Sequence, residues 1–317
     1  MRLPKPRLRF FAEVLGISLN KRCWRQARLG FRGDQYIPKS RADISSLMLL
    51  GPRIAFPLWL GRAYLPRTVI ITNLFNHTQT PIQNGWSIRK KKVRDFRGHT
   101  LSYDSHNGTD FAIPVGTRVL SAAAGKVVWM CDELNRGGKK IFIDHGKGLM
   151  TTYAHLARAL VHVGMEVKQG QPIAWSGYSG LDAVISFPFG IPHVHMNVWH
   201  NGVPVDPFSN DDESSLWIHG FPEPSCHGVH DYVPSEYDPQ KVNDGIQACL
   251  DPKIRHDLEL GETLEERASH LLMQQNYYPT RFSKRISPYM RHIERTERLC
   301  LPFSSDDFDR VVFRDEV

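Results

Sequence analysis

Two histidines one residue apart, His193 and His195, stand inside the apolar run "FPFGIPHVHMNVW" (187–199). On a strand, successive side chains alternate faces, so both imidazoles point the same way. Two imidazoles aimed into one space are costly to bury unless a metal or a proton transfer uses them. The plainer arrangement is one structural and one exposed histidine. A second group lies in "SHNGTDFAIPVGT", where His106 and Asp110 are four residues apart. Gly108 and the flanking Ser, Asn and Thr mark a loop rather than a helix, and a loop can fold a histidine and a carboxylate around one ion. Alone, such a pair is a common accident. His155 in "TTYAHL" is a third candidate, on a strand of the same region. Together these residues offer a carboxylate and histidines to spare. Catalytic zinc takes three protein ligands and keeps a fourth position for water. The pKa of that water falls to about 7, and a histidine nearby can then move protons.

The elements that must hold these residues read mostly as strands. "RTVIITNLF" is a β-branched run, and "TRVLSAAAGKVVWM" gives two short strands around Ala124-Gly125. "KKIFIDHGKGLMTTYAHL" reads as a hairpin turning at His145–Gly148, and Asn201-Gly202 marks another tight turn. Residues 86–208 therefore predict an antiparallel β domain. Beyond residue 208 the pattern turns helical. Thr263 and Glu266 stand at capping-box spacing ahead of Leu264, Ala268, Leu271 and Leu272 on one face. "SPYMRHIERTERL" predicts a second helix, with Ser287 as N-cap and Pro288 at the first turn. The organisation expected is a basic N-terminal extension (1–85), a mainly β domain (86–208) and an acidic, α-rich C-terminal extension (209–317). No internal repeat, phosphate-cradling glycine loop or nucleophile elbow is present.

The order "HNGTDFAIPVGTRVLSAAAGKVV", "IFIDHGKGLMTTYAHL", "VGMEVKQGQPIAWSGYSG" and "HVHMNVWHNGVPVDP" resembles the lysostaphin-type zinc endopeptidases of bacterial cell walls, over about residues 98–208. The resemblance implies a small β domain with a groove over antiparallel strands, and one zinc ion per chain. It implies His106, Asp110 and His195 as zinc ligands, with His155 and His193 as catalytic histidines in either order of base and oxyanion stabiliser. Asn107, Phe187 and Phe189 are the implied substrate contacts. The implied reaction is hydrolysis of peptide bonds in peptidoglycan. Three features depart from the family pattern. The loop "LDAVISFPFGIP" between Gly180 and His193 is long and apolar, Asn197 stands where an acidic residue is common, and Trp175 replaces a small residue. Two other readings stay open: a non-catalytic wall-binding or amidase-activating module on the same fold, and an intracellular zinc peptidase with another peptide substrate.

Charge is distributed in blocks. Residues 1–97 hold 20 Lys+Arg against 4 Asp+Glu, residues 98–208 hold 8 of each, and residues 209–317 hold 12 against 21. The basic block reads as a surface complementary to the acidic one, or as a contact for an anionic wall polymer or membrane surface. Its arginines are spread out with no nucleic-acid module, so no nucleic-acid partner is expected. Either extension could cover the groove, in which case removing 1–85 or 209–317 should raise activity. A bacterial envelope location is implied by the family, although no clean export signal is seen in "MRLPKPRLRFFAEVLGISLN". The apolar window 44–65 carries Gly51, Pro52 and Arg53 in its middle, so it reads as buried or interfacial rather than membrane-spanning. Cysteines 23, 131, 226, 249 and 300 are scattered and odd in number, which leans towards a reducing compartment. Cys226, His227 and His230 cluster without a second half at zinc-site spacing.

Overall fold

A computed structural model describes residues 6–18, 20–210, 213–218 and 231–317. The strands are β1 (Thr68–Asn73), β2 (Thr109–Ala112), β3 (Arg118–Leu120), β4 (Gly125–Glu133), β5 (Gly138–Asp144), β6 (Leu149–Ala159), β7 (Glu166–Val167), β8 (Pro172–Ser176), β9 (Val194–His200), β10 (Val203–Val205) and β11 (Arg310–Phe313). They form one sheet in the order β11-β1-β2-β9-β6-β5-β4-β7, with β10 on β9 and with β8 joining β6 to β3. Every pairing is antiparallel except β1 with β11, where Thr68 faces Arg310 and Ile71 faces Phe313. The expected antiparallel β architecture is therefore present. Two strands of the sheet, β1 and β11, come from outside residues 86–208.

Turn chemistry sets the hairpins. Gly146, Lys147 and Gly148 all have φ between 52° and 75°, which reverses the chain between β5 and β6. Asn201 and Gly202 do the same between β9 and β10, with φ of 51° and 87°. The period of two then divides each strand between two apolar layers. Ile141, Ile143, Tyr153, Val194, Met196 and Val198 face a core completed by Trp217, Leu299, Phe303 and Phe313 of the C-terminal segment. Phe142, Met150 and Trp199 face the other way, against Val242, Ile246, Leu271 and Leu272. Each such buried side chain contributes about 1.5–3 kcal/mol, so both layers weigh in holding the sheet flat against its covers.

The helices are α1 (Lys21–Arg32), α2 (Pro52–Trp59), α3 (Leu181–Ser186), α4 (Pro239–Gln247), α5 (Pro252–Glu259) and α6 (Leu264–Tyr277). Helix α6 starts as its capping box requires: Glu266 N–H donates to Thr263 Oγ1 at 3.1 Å, and Thr263 N–H to Glu266 Oε2 at 3.4 Å. The second helix expected at 287–299 does not form. Tertiary hydrogen bonds hold that segment extended instead. Ser287 Oγ donates to Asn201 O, Asn201 exchanges bonds with both backbone groups of Ile293, and Arg295 donates to the carbonyls of Asp206, Phe208 and Ser214.

The apolar window 44–65 folds as a 3₁₀ turn (Ile44–Leu49) followed by α2. Ile54, Ala55 and Leu58 are buried on Ile70, Ala112 and Ile191, while Ile44, Leu47, Met48 and Leu60 stay exposed. Among the described residues, no helix is long and apolar enough to cross a membrane. Complementary charge between the ends of the chain is realised at Arg67–Asp309 (2.7 Å) and Arg97–Asp315 (2.9 Å). Cys226, His227 and His230 lie outside the described residues. Cys23, Cys131 and Cys249 are free thiols, whereas Cys300 is disulfide-bonded, which runs against the reducing lean of the cysteine count.

Candidate metal centre and active-site groove

Strand register brings the first two site residues together. Asp110 on β2 is the direct cross-strand partner of His195 on β9. Phe111 on one side of Asp110 and Val194 and Met196 flanking His195 point into the core, so Asp110 and His195 share the opposite face. His106 comes from the loop before β2. Its Nδ1 lies 2.7 Å from Leu74 O, and its own carbonyl accepts from Asn76 N–H at 2.9 Å. These anchors turn Nε2 towards His195 Nδ1 at 3.1 Å and Asp110 Oδ1 at 3.1 Å, while His195 Nδ1 lies 2.7 Å from the same carboxylate oxygen. Gly108 makes the approach possible, since a Cβ there would meet Met196 O at 2.6 Å and His195 Cε1 at 2.8 Å.

The three donor atoms lie within 4.8 Å of one another, and all three residues are buried. A neutral His106 spends its only ring hydrogen on Leu74 O, so its Nε2 is a lone pair. At most one hydrogen, on His195 Nδ1, can then separate two acceptors packed against a carboxylate. Two imidazole nitrogens and one carboxylate oxygen, aimed at one another in a buried space, are a donor set that zinc accepts. The residues present fit such an ion. The outer contacts fit as well. Asp110 Oδ2 accepts from Asn73 Nδ2 at 2.8 Å, which leaves Oδ1 facing the histidines.

Electrostatics agree with this arrangement. Burial works against the charge on Asp110, but the neighbouring His106 and His193 imidazoles and the hydrogen bond from His195 hold its carboxyl well below the usual range. Burial pushes His195 down to about 4 and also lowers His193, keeping both rings neutral near pH 7.

His155 and His193 stand beside this cluster. His193 immediately precedes β9, its Nδ1 is 2.7 Å from Ile191 O, and its Nε2 is 3.6 Å from Asp110 Oδ1. His155 occupies the point where β6 changes partner: Ala154 pairs with His195 on β9, and Leu156 with Ser176 on β8. There φ is 59°, a left-handed conformation that a non-glycine residue adopts at a cost of about 1–3 kcal/mol. This irregularity re-aims the side chain, as a bulge does. His155 Nδ1 is fixed on Ser179 O at 2.8 Å, and the His155 and His193 rings are 4.8 Å apart with Tyr178 packed on both.

The centre opens into a groove of about 230 Å³ lined by His155, His195, Asn107 and Asn197 among others. Asn197 ties the floor together. Its Nδ2 donates to Asn107 O and Oδ1, and its Oδ1 accepts from Thr152 Oγ1 and Tyr277 OH. One wall comes from the N-terminal segment through Gly30, Phe31 and Arg41, held by Tyr178 N–H to Val14 O, Gly180 N–H to Leu15 O and Arg41 N–H to Trp86 O. The sequence-derived set is thus brought together at His106, Asp110, His155, His193, His195 and Asn107. Phe187 and Phe189 are not part of the lining. Phe187 packs on Phe10 and Trp59, and Phe189 on Phe56, while the groove takes Leu181, Asp182 and Ile185 from the same loop. Asn73, Tyr178, Trp86 and Arg136 were not singled out from the sequence. Asn73, a polar residue closing a β-branched run, is the one whose position offered a signal.

Residues 104–207 match the model of Peptidase family M23. The chain is 35% identical over 127 residues to the peptidoglycan DD-endopeptidase ShyA of Vibrio cholerae, covering 40% of this chain and 28% of ShyA. The chain therefore spans less than a third of that relative's length. Among solved structures, the catalytic domain of the antimicrobial peptidase lysostaphin from Staphylococcus simulans is 32% identical, covering 33% of this chain and 77% of that one, at a TM-score of 0.29. A zinc-containing peptidase from Vibrio cholerae is 30% identical, covering 46% and 41%, at a TM-score of 0.32. With the matched segment carrying the His-Asp-His cluster and both neighbouring histidines, residues 104–207 of this chain belong to peptidase family M23.

Proposed function

We propose that this chain is a metal-dependent endopeptidase that hydrolyses peptide bonds of bacterial peptidoglycan, in the cell envelope. One zinc ion per chain would be held by His106, Asp110 and His195. A zinc ion held by three such ligands keeps a position for water, lowers that water's pKa to about 7 and polarises a carbonyl. His155 and His193 supply the proton transfers. With each Nδ1 committed to a backbone carbonyl, each Nε2 is left to exchange the proton; that of His193 lies 3.6 Å from Asp110 Oδ1, and that of His155 lies 3.5 Å from Asp182 at the groove. A histidine that takes a proton from the attacking water becomes an imidazolium, able to donate to the developing oxyanion or the departing amine. Asn197 and Asn107 hold the groove floor on which an extended peptide would lie.

The observation that carries this reading is the convergence of five family-matched residues on one buried point beside a groove. It speaks against a non-catalytic module on the same fold, since a module without activity has no use for the strained His155. The similarity of 127 residues of this chain to a peptidoglycan DD-endopeptidase supports the substrate. The test is incubation of the full chain, with its metal content measured on the same sample, with purified sacculi and defined muropeptides. Mass spectrometry is expected to find newly freed peptide termini, absent in His195→Ala. A zinc-filled protein that releases no product would refute the proposal.

A further inference from the structure

Among the described residues, the hairpin that joins β4 to β5 leaves one charge without an ion-pair partner. Of its ionisable residues, Asp132 pairs with Lys139 and Glu133 with Lys140, each at 2.9 Å. Arg136, at the turn, lines the groove and makes no ion pair among the described residues, since the nearby Glu133 is taken by Lys140. Its Nε is buried without a hydrogen-bond partner, and its guanidinium lies over the Trp86 ring at 4.8 Å. A second guanidinium lines the same groove. Arg41 donates through Nη2 to Gly85 O, but its Nε is likewise buried and unpartnered, and its backbone N–H is tied to Trp86 O. The acidic residue of the lining, Asp182, is turned to His155 Nε2 at 3.5 Å rather than to either arginine. Both arginines are half-buried, and each hides a guanidinium Nε that meets no acceptor; a buried polar atom without a partner is costly, so two cations of this kind lining one groove call for an anion from outside.

We propose that Arg136 and Arg41 form a carboxylate-binding subsite of the groove, so that the peptide cut at the centre carries a free carboxylate at this wall. The proposal rests on the peptidase reading and adds the chemistry of its substrate. Guanidinium is the group suited to a planar, bidentate carboxylate, and the Trp86 ring against Arg136 limits where that guanidinium can lie. Arg136 is also held in register with the chemistry: the carbonyl of the next residue, Gly137, accepts from His155 N–H at 2.8 Å. A carboxylate seated on Arg136 therefore sets the scissile bond relative to His155. The carboxylate could be the terminal one of the peptide or one on a side chain.

Two matched pairs of cross-linked peptidoglycan peptides distinguish these sources. In one pair the members differ by amidation of the terminal carboxylate, and in the other by amidation of a side-chain carboxylate. The zinc-loaded full chain, Arg136→Met and Arg41→Met are assayed for cleavage by mass spectrometry and for binding by calorimetry, with zinc content confirming that each variant keeps its centre. In the pair that carries the recognised group, amidation should lower kcat/KM of the wild type about tenfold to a hundredfold, mainly through KM, the size expected for hydrogen bonds to a charged group. Arg136→Met should remove that discrimination. Wild-type protein indifferent to amidation in both pairs, or Arg136→Met discriminating as wild type does, overturns the subsite. If wild type cuts none of the four peptides, the peptidase reading fails and calorimetry decides the subsite alone. Tighter binding of a carboxylate form that is lost in Arg136→Met supports it, and equal binding of both forms overturns it.

Discussion

Asn73 gives the sharpest test of how the centre is built. Asp110 is 1% exposed, and its two oxygens have different surroundings. Oδ1 faces His195, His106 and His193 at 2.7, 3.1 and 3.6 Å, whereas Oδ2 accepts from Asn73 Nδ2 at 2.8 Å. Asn73→Ala leaves that oxygen buried without a hydrogen-bond donor, at a cost of about 1–3 kcal/mol in the metal-free protein. It also frees the carboxylate to rotate away from its ligand position, and loss of an outer contact of this kind weakens metal binding about 10–100-fold. Asn73→Asp should be worse, because it sets a second carboxylate against the first. The assay is zinc titration against a chromophoric chelator, alongside urea unfolding of the metal-free variants, so that affinity and fold stability are read separately. Asn73→Ala protein that binds zinc as tightly as wild type would show that Asn73 does not position Asp110, and the account of the outer contacts would fall.

Gly108→Ala pushes a methyl group against the His195 ring and Met196 O, and overpacking of this order costs about 1–3 kcal/mol. It should lower both the melting temperature and zinc affinity in the same titration. Thr263→Ala removes the cap of α6 and should destabilise the protein by about 0.5–2 kcal/mol in urea, with zinc affinity unchanged. The Arg158 guanidinium and the Arg9 backbone hold Glu13 down to about 2 from 4.5. That pairing therefore stabilises the N-terminal segment above about pH 4.5 and is lost as the pH falls towards 2. Proteolysis of residues 6–18 should accelerate over that window in wild type, and Arg158→Ala should show the faster cleavage already at pH 6. Deleting residues 1–85 removes β1 and Asn73, so the expected result is loss of zinc binding and activity rather than activation; an active deletion variant would contradict it.

Much of the centre was legible because its residues sit in elements whose periodicity is local. The alternation that places His193 and His195 on one face is a property of a few consecutive residues. The capping box of α6 is equally local, and so are the Gly-rich hairpins. What failed depended on distant partners. The segment 287–299 has helical caps, but Asn201 and the carbonyls at 206, 208 and 214 outbid them. Phe187 and Phe189 looked like groove residues because they precede His193. Their rings instead answer to Phe10, Phe56 and Trp59, residues whose position no pattern near 187 could reveal. Arg136 was invisible for a different reason: a lone arginine in a charged hairpin looks solvated until its neighbours are seen to pair among themselves.

The parallel pairing of β1 with β11 has a consequence for synthesis. Strand β1 ends in the residue that steadies Asp110, yet its outer neighbour is supplied by residues 310–313. A nascent chain on the ribosome can hold every metal donor long before it holds the strand that closes that side of the sheet. The centre should therefore mature only once residue 313 has left the exit tunnel, so a partly made chain lacks a finished centre. Stalled nascent chains of increasing length, assayed for protection of β1 from protease, would place that moment directly; protection of β1 in chains that stop before residue 310 would rule it out.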